Sequence, residues 1–266
     1  MKDYGYNTVA IHTNTGAFFN RKTAYTYLGF DEMIFEEQLG ETPEEFLHGR
    51  RWANDLYAYE ALIDSYESRD KNKPYFAHVV TTQNHGGWEV DYDEHGITVE
   101  GDISIEENRQ LQTYLNLEKE SMVALESLLD YFDSVEDNVI IVFWGDHCPA
   151  LTKLGVEDNS LDYVVNSHKT PLLVWNNYGA TFDFGEQIAA YNFTPMLMQQ
   201  LGMNNDYFMN YSANNDVPTV VVGTIDIENG DNYISVNDMS DEQKEIRNNL
   251  WLLQYDREYG RGYAYN

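Results

Sequence analysis

The sequence predicts an α/β fold in which helices cover both faces of a mostly parallel β-sheet. Apolar segments of strand length alternate along the chain with longer segments whose apolar residues recur at helical spacing. The strand-length segments are continuously apolar, which is typical of strands that crossover helices bury on both sides. With 266 residues, 42% of them hydrophobic, the chain is long enough for one large domain or two small ones.

The alternation is clear in the first half of the chain. Thr42 is followed by Pro43 and two glutamates, a pattern typical of a helix N-terminus, and it predicts a helix over residues 42–66. Leucines and aromatic residues near helical spacing predict a long amphipathic helix over residues 105–134. Apolar segments predict strands at residues 7–11 and 74–81.

The second half continues the alternation with shorter elements. A helix is predicted over residues 194–201, ending before Gly202. Ser240 and Gln243 have the spacing of a capping box, which predicts a final helix that runs to about residue 255. Apolar segments predict strands at residues 138–144, 171–175, 219–225 and 233–236.

The charge of the chain argues against two classes of partner. Acidic residues outnumber basic ones by 45 to 16, and the formal net charge is −29. Binding to nucleic acid or docking on an anionic membrane needs concentrated lysine and arginine. No apolar segment approaches the ~20 residues of a membrane span, and the N-terminus lacks the apolar region of a signal peptide. The chain as given is therefore expected to be soluble and without an export signal.

Chemically capable side chains follow three of the predicted strands. His12 and Asn14 follow the first strand, and His85 follows the strand at 74–81 within the segment TTQNH. Asp146 and His147 follow the strand at 138–144. Because ligands of parallel α/β sheets bind beyond the carboxyl ends of the strands, these side chains are predicted to converge on one edge.

Asp146 and His147 have the chemistry of a divalent-metal site. A carboxylate oxygen combined with an imidazole nitrogen suits zinc or manganese better than calcium. A catalytic dyad without metal is the alternative. Adjacent residues at a strand end can both turn toward one ion, which favours the metal interpretation.

Several segments, taken in order, resemble the phosphoglycerol transferases of the lipoteichoic acid synthase type, within the sulfatase and alkaline-phosphatase-like superfamily. The N-terminal segment GYNTVAIHTNTGAFFNRKTAYTYLGFDEM has a strand, a histidine, an aromatic-Asn-Arg motif and a Leu-Gly-Phe-Asp motif in the family's order. The segments KPYFAHVVTTQNHGGW, VFWGDH, SHKTPLLVWNN and NFTPMLMQQLGM have counterparts in the same order. The resemblance covers most of residues 4–202.

The resemblance implies a role for each matching residue. Asp146 and His147 match metal ligands of the family, and His85 matches the histidine that contacts the substrate or the phosphorylated intermediate. The family binds the glycerol-phosphate headgroup with residues that match His12, Asn14, Phe19 and Arg21. The implied cofactor is a divalent metal, Mn²⁺ in the first place, with Mg²⁺ and Zn²⁺ as alternatives.

Two departures from the family pattern are visible. The family often has aspartate where Asn14 stands. Its nucleophilic threonine and a further acidic metal ligand lie in an N-terminal part of the domain that has no counterpart here, and Thr81 and Thr82 lie on the wrong strand to replace the nucleophile. Residues 1–202 are therefore interpreted as the C-terminal part of a sulfatase-like catalytic domain, and residues 203–266 as its C-terminal extension.

The function that the resemblance implies is metal-dependent transfer of a phosphoglycerol group from a lipid donor. The partner would be a glycerol-phosphate or related lipid headgroup, and the parent protein would be membrane-anchored and work on the outer face of the cell membrane. Two alternatives stay open: a sulfatase or phosphodiesterase of the same superfamily, and a non-catalytic module that binds a polyol phosphate or glycan. The sequence does not decide whether the chain is an enzyme.

Overall fold

A computed structural model describes residues 1–101, 104–149, 151, 165–203, 207–215, 217, 219–221, 224–226 and 233–265. The chain divides into two compact units. The first comprises residues 1–138 and 149–157, and the second comprises residues 139–148 and 158–266. The boundary at residue 202 and the role of the segment that follows it stay predictions.

The first unit is built on a three-stranded parallel sheet with the strand order β2-β1-β3. Its strands are β1 (Asn7–His12), β2 (Glu32–Ile34) and β3 (Tyr75–Val80). Its helices are α1 (Arg21–Leu28), α2 (Glu36–Leu39), α3 (Asp55–Ser68) and α4 (Ile105–Asp133). The predicted parallel sheet is confirmed here, and the predicted long helix is observed with almost the expected bounds.

Helices cover both faces of this sheet. Tyr25 of α1 contacts His78 of β3 edge-to-face, with ring centroids 5.7 Å apart. The Tyr75 hydroxyl, which is also on β3, donates to Ser65 Oγ of α3 at 2.9 Å. Because residues 75 and 78 are an odd number of positions apart, they point to opposite faces of the strand. The buried centre is formed by β1, where Ala10 and Ile11 are fully inaccessible to solvent.

The predicted helix over residues 42–66 is wrong in its first half. Residues Glu44–Phe46 form a single 3-10 turn, and His48 and Gly49 then adopt positive φ angles of 50° and 69°. Left-handed residues cannot continue a right-handed helix. Helix α3 therefore begins only at Asp55, where the Asn54 side chain accepts a hydrogen bond from the Tyr57 amide at 3.2 Å.

The second unit departs from the predicted parallel arrangement. Strands β4 (Ile140–Trp144) and β5 (Leu172–Asn176) pair antiparallel, a pairing that needs no crossover helix. The predicted strand over 219–225 is two strands that pair antiparallel with each other. They belong to a sheet that contains β6 (Thr219–Val221), β7 (Thr224–Asp226) and β8 (Tyr233–Ser235). The expectation of a mostly parallel sheet therefore holds for the first unit only.

The described helices of the second unit are α5 (Ala190–Gln200), α6 (Tyr207–Asn214) and α7 (Asp241–Glu258). The predicted capping box of α7 is present, with the Ser240 hydroxyl accepting from the Gln243 amide at 3.1 Å. Within the described residues of both units, no helix is both long and apolar enough to cross a bilayer.

Candidate functional site

Polar residues gather at the carboxyl edge of the β2-β1-β3 sheet in the first unit. His12 ends β1 and Asn14 follows it, while residues 82–86 follow β3 and form what we call the His85 loop. Because the strands are parallel, these segments leave the sheet at the same edge. The structure therefore brings the predicted residues of the first unit to one edge.

His12 is fully buried rather than open to a ligand. Its ring donates from Nδ1 to the Val80 carbonyl at 2.9 Å, and the ring of Phe18 stacks over it at a centroid distance of 6.0 Å. Burial lowers the pKa of His12, and the Arg21 guanidinium acts in the same direction. The imidazole is thus neutral, and its Nε2 has no partner among the described residues.

Phe19 and Arg21 project from a strained turn. Phe19 and Asn20 have positive φ angles of 51° and 55°, and the Phe19 side chain is 76% exposed. The Arg21 guanidinium lies 5.7 Å from the Phe19 ring centroid and donates to the Tyr25 hydroxyl at 3.3 Å. Its Nε has no partner within the described part of the chain. An exposed aromatic ring beside a guanidinium can bind an anion that carries an organic group.

A chain of rings connects these residues with His85. The exposed imidazole of His85 lies 4.5 Å from the ring of Trp52, and Trp52 lies 5.7 Å from Phe18, both measured between centroids. Phe18 in turn contacts His12 at 6.0 Å and Phe19 at 4.7 Å. These rings, which we call the aromatic edge, therefore extend from residues 12–21 to the His85 loop. Sequence reasoning missed Trp52, because nothing in its spacing relates it to either strand.

A buried arginine holds the main chain of the His85 loop. Arg50 is 7% exposed, and its guanidinium donates to the carbonyls of Gln83 and His85 at 2.6 and 3.0 Å. The indole of Trp52 donates to the carbonyl of Gly86 at 2.8 Å. Arg50 was also missed, since its two acceptors are main-chain atoms more than 30 residues away in sequence.

Helix α4 supports the same loop from the other side. The Gln83 amide donates to Glu120 at 2.6 Å, and Glu120 also contacts His48 Nε2 at 3.1 Å. The Asn84 amide donates to the Ser121 hydroxyl at 3.0 Å. In the His85 loop, therefore, the residues before His85 are held by buried polar contacts while the imidazole itself stays exposed.

Asp55 is a buried carboxyl group at the start of α3. It is 3% exposed and accepts from the Ser121 hydroxyl at 2.6 Å, while its amide donates to the Gln83 side chain at 2.7 Å. Burial raises the pKa of Asp55 to about 6, although the hydrogen bond from Ser121 opposes the shift. Asp55 connects α3, α4 and the His85 loop.

Asp146 and His147 belong to the second unit and are both exposed. His147 donates from Nδ1 to the Cys148 carbonyl at 2.9 Å, which leaves the lone pair of Nε2 for another partner. That Nε2 lies 3.5 Å from a carboxylate oxygen of Asp146. The convergence of Asp146 and His147 with His12 and His85 stays a prediction.

Gly145, the residue before the pair, has little room for a side chain. A Cβ atom at Gly145 would lie 3.2 Å from the Thr170 Cβ, so the close approach of the Thr170 side chain favours glycine at this position.

The fold and the polar edge define the class of protein, an α/β protein of the alkaline-phosphatase-like type. The sequence model of the Sulfatase family matches residues 1–203. The chain belongs to the sulfatase family, and the resemblance to that superfamily is confirmed.

Sequence relatives of the chain include a glucan modification protein and a lipoteichoic acid synthase. A candidate cyclic β-1,2-glucan modification protein of Rhizobium meliloti is 29% identical over 220 residues, covering 78% of this chain and 33% of that protein. Lipoteichoic acid synthase 1 of Bacillus subtilis is 23% identical over 150 residues, covering 54% of this chain and 21% of the synthase. The chain thus spans about a third or less of the length of these relatives.

Solved structures support the fold. A Streptococcus pyogenes phosphoglycerol transferase, GacH, in complex with sn-glycerol-1-phosphate matches with a TM-score of 0.72 and 24% identity, covering 97% of this chain and 63% of GacH. The lipoteichoic acid synthase LtaP of Listeria monocytogenes matches with a TM-score of 0.59 and 18% identity, covering 98% of this chain and 71% of LtaP. The alkaline-phosphatase-like fold is thereby shown.

The superfamily is generally metal-dependent, so the fit of a metal to this chain can be tested. Asp146 and His147 supply one oxygen and one nitrogen ligand. The described residues contain no group of three or more histidine, cysteine, aspartate or glutamate side chains able to hold a metal ion. Catalytic sites for zinc generally use three protein ligands and an open position. The described part of the chain therefore does not fit a complete catalytic metal site.

Proposed function

We propose that this chain binds a glycerol-phosphate type of headgroup at the aromatic edge of its first unit, as part of a phosphoglycerol transferase. The observation that carries the proposal is the position of Arg21. Its guanidinium lies 5.7 Å from the centroid of the exposed Phe19 ring. In a chain of net charge −29, an anionic ligand needs such a local cation. The bidentate geometry of arginine suits a phosphate group.

The neighbouring side chains have complementary roles in this proposal. The Phe19 ring covers the carbon skeleton of the glycerol unit, which would otherwise be exposed to water. His85 offers an exposed imidazole, a side chain that can act as a general acid or base toward an ester oxygen. Trp52 and Arg50 fix the position of that imidazole through the ring contact and the loop carbonyls.

His12 and Asn14 take less direct roles than the resemblance implies. His12 is fully buried beneath Phe18, so we assign it to the support of that ring. Asn14 Oδ1 accepts from the Thr15 amide at 2.7 Å, which fixes the turn that leads to Phe19. Asn14 lines the adjoining cleft, and its side-chain amide nitrogen is a donor that a ligand there can use.

Asp146 and His147 are proposed as two ligands of a divalent metal, Mn²⁺ in the first place. Such an ion, when bound, would neutralise phosphate charge. Because the described residues do not complete its ligand set, no reaction step is assigned to it.

The activity of the whole protein is proposed from its relatives. GacH is a phosphoglycerol transferase by its description, and its structure holds sn-glycerol-1-phosphate. A further structural relative is the periplasmic domain of EptC from Escherichia coli. We propose that the protein to which this chain belongs likewise transfers phosphoglycerol, and that it is membrane-anchored and works at the outer face of the cell membrane.

Calorimetric titration with sn-glycerol-1-phosphate tests the binding. Arg21→Lys keeps the charge and loses the bidentate fork, so the binding free energy should weaken by ~1–3 kcal/mol. Lys22→Met, at an exposed neighbouring position of the same helix, is the matched control and should leave the affinity unchanged. Equal affinity of the wild-type chain and Arg21→Lys would assign Arg21 to another role. Tighter binding of a sulfate ester than of the phosphate would favour the sulfatase alternative.

The non-catalytic module is a second candidate, and the incomplete metal ligand set among the described residues supports it. Such a module would bind the headgroup through Arg21 and His85 without turnover. Reading the genomic sequence upstream of Met1 separates the two. An open frame that encodes a threonine-bearing strand end supports the transferase, and a start codon with its own promoter supports the module.

A further inference from the structure

A cleft of about 420 Å³ opens in the first unit beside residues 12–21, which contain the proposed headgroup-binding residues. Residues that follow all three parallel strands line it: Thr13 and Asn14 after β1, Glu36 after β2, and Thr82 after β3. Sites for small molecules typically have volumes of ~300–1,000 Å³. In α/β sheets they lie beyond the carboxyl ends of the strands. The size and the position of the cleft both fit a small-molecule site.

The charge of the lining selects the class of ligand. The lining contains three glutamates, Glu36, Glu41 and Glu44. It also contains one arginine, Arg51, so the charged side chains of the lining are mostly negative. The Arg51 guanidinium lies over the Trp52 ring at 4.8 Å. Ionised carboxylates only accept hydrogen bonds, and they repel phosphate. The complementary ligand is rich in hydroxyl donors and carries no negative charge.

A buried hydroxyl adds an observation that is independent of the acidic residues. Thr13 lines the cleft and is only 6% exposed, yet its Oγ1 has no hydrogen-bond partner among the described residues. Buried polar atoms in folded proteins nearly always have a partner. A ligand hydroxyl can supply one, because it donates and accepts. An acidic surface without a ligand gives no reason for this unsatisfied group.

The cleft and the headgroup residues share Asn14 but differ in charge. Arg21, Phe19 and His85 do not belong to its lining. The two regions therefore offer a cationic position and an acidic position on the same edge of one sheet. A transfer reaction needs two substrates, a donor that carries the transferred phosphate and an acceptor that supplies a hydroxyl group.

We infer that the cleft binds the acceptor of the transfer, a neutral hydroxyl-bearing molecule such as a saccharide or polyol. The identification of this ligand as the acceptor rests on the proposed function, whereas the binding of a neutral saccharide does not. Phosphate is directed to Arg21 and excluded here by the glutamates, so each substrate has its own charge-matched position.

Ligand-observed NMR with a neutral glucose trisaccharide tests the inference on the full 266-residue chain, in parallel with sn-glycerol-1-phosphate. Thr13→Val removes the hydroxyl at nearly constant volume, and Glu44→Gln removes one lining charge at an exposed position. Each should weaken trisaccharide binding by about fivefold or more and leave glycerol-phosphate binding unchanged. Thr13→Ser restores the hydroxyl and should restore the affinity. Glu45→Gln is the matched control, since Glu45 lies in the same 3-10 turn but outside the lining.

Arg21→Lys should give the reverse pattern, with weaker glycerol-phosphate binding and unchanged trisaccharide binding. Absence of trisaccharide binding to the wild-type chain overturns the inference, whatever the glycerol-phosphate result. Equal effects of Glu44→Gln and Glu45→Gln overturn it as well. Loss of Mn²⁺ binding in Glu44→Gln without loss of trisaccharide binding would identify the cleft as a cation site instead. Failure of glycerol phosphate to bind, with the saccharide bound, contradicts the proposed function alone.

Discussion

The guanidinium of Arg50 donates a hydrogen bond to the main-chain carbonyl of His85 at 3.0 Å while remaining 7% exposed. A second bond reaches the Gln83 carbonyl at 2.6 Å. The buried guanidinium of Arg50 thus fixes the main chain at His85, whose imidazole is exposed. The arrangement leaves that imidazole open to a ligand, because Arg50 contacts the carbonyl of His85 and not its ring.

Replacing Arg50 should therefore impair His85 more than the rest of the unit. In Arg50→Met both carbonyls lose their partner, and leaving a buried acceptor unsatisfied costs about 1–3 kcal/mol. We expect glycerol-phosphate affinity to fall by about fivefold or more, with a changed NMR resonance of the His85 ring. Arg247→Met, on an exposed position of α7, is the control. An unchanged His85 resonance together with lower stability would show that Arg50 has a purely structural role.

Asp55 gives the stability of the chain a defined pH dependence. Burial raises the pKa of this carboxyl from 3.8 to about 6, so the native state binds its proton more tightly than the unfolded state. Its contribution is largest at acidic pH and disappears as pH rises through the native pKa. Between pH 5 and 7.5 the wild-type chain should lose on the order of 1 kcal/mol relative to Asp55→Asn. Urea unfolding at both pH values measures this, and parallel pH profiles of the two proteins would contradict it.

Phe19 combines a positive φ angle with high exposure, so replacing it should separate stability from binding. Phe19→Gly removes the strain of a left-handed non-glycine residue, which is of order 1–3 kcal/mol. It also adds freedom to the unfolded chain. We expect the unfolding free energy to hold or to rise by up to about 1 kcal/mol, while glycerol-phosphate binding weakens. Thermal unfolding and calorimetry check both parts. A large loss of stability would mean that the contact of Phe19 with Phe18 outweighs the strain.

Metal binding by the 266-residue chain should be weak and should depend on two residues. Asp146→Asn should abolish the broadening of the His147 ring resonance by Mn²⁺, and His147→Gln should abolish the broadening of the backbone amide resonance of Asp146. We expect no Mn²⁺-dependent hydrolysis of a chromogenic phosphodiester, because two ligands fall short of a catalytic site. Turnover that Asp146→Asn removes would require a nucleophile and a further ligand within these residues.

The strands and the long helix of the first unit were predictable because each leaves a local pattern in the sequence. The continuous apolar segments that contain Ile11 and Val79 report strands buried on both sides. The helical spacing of leucines and aromatic residues predicts the long helix, and the structure adds a capping box formed by Ser104 and Glu107 at its start. The break at His48 and Gly49 was not predictable, because a Thr-Pro-Glu-Glu start says nothing about where the helix ends.

The candidate site was predictable only in its exposed part. His85, Arg21 and Phe19 follow family motifs that can be read along the chain. Arg50 and Trp52 act on main-chain carbonyls, which leave no signature in a sequence. Likewise, the antiparallel pairing of β4 with β5 was missed, because an apolar segment does not report the direction of its neighbour.

The polar contacts of the His85 loop join residues that are 28 to 37 positions apart in the chain. No fragment of local sequence can therefore assemble the loop by itself, and its order must appear together with the docking of α3 and α4. Loop amides should exchange with solvent deuterium only through openings that also release these helices. Each molecule would then either have the ordered loop and bind the ligand with full affinity, or lack the ordered loop and not bind. A destabilising substitution anywhere in this unit would reduce the number of competent molecules rather than the affinity of each one.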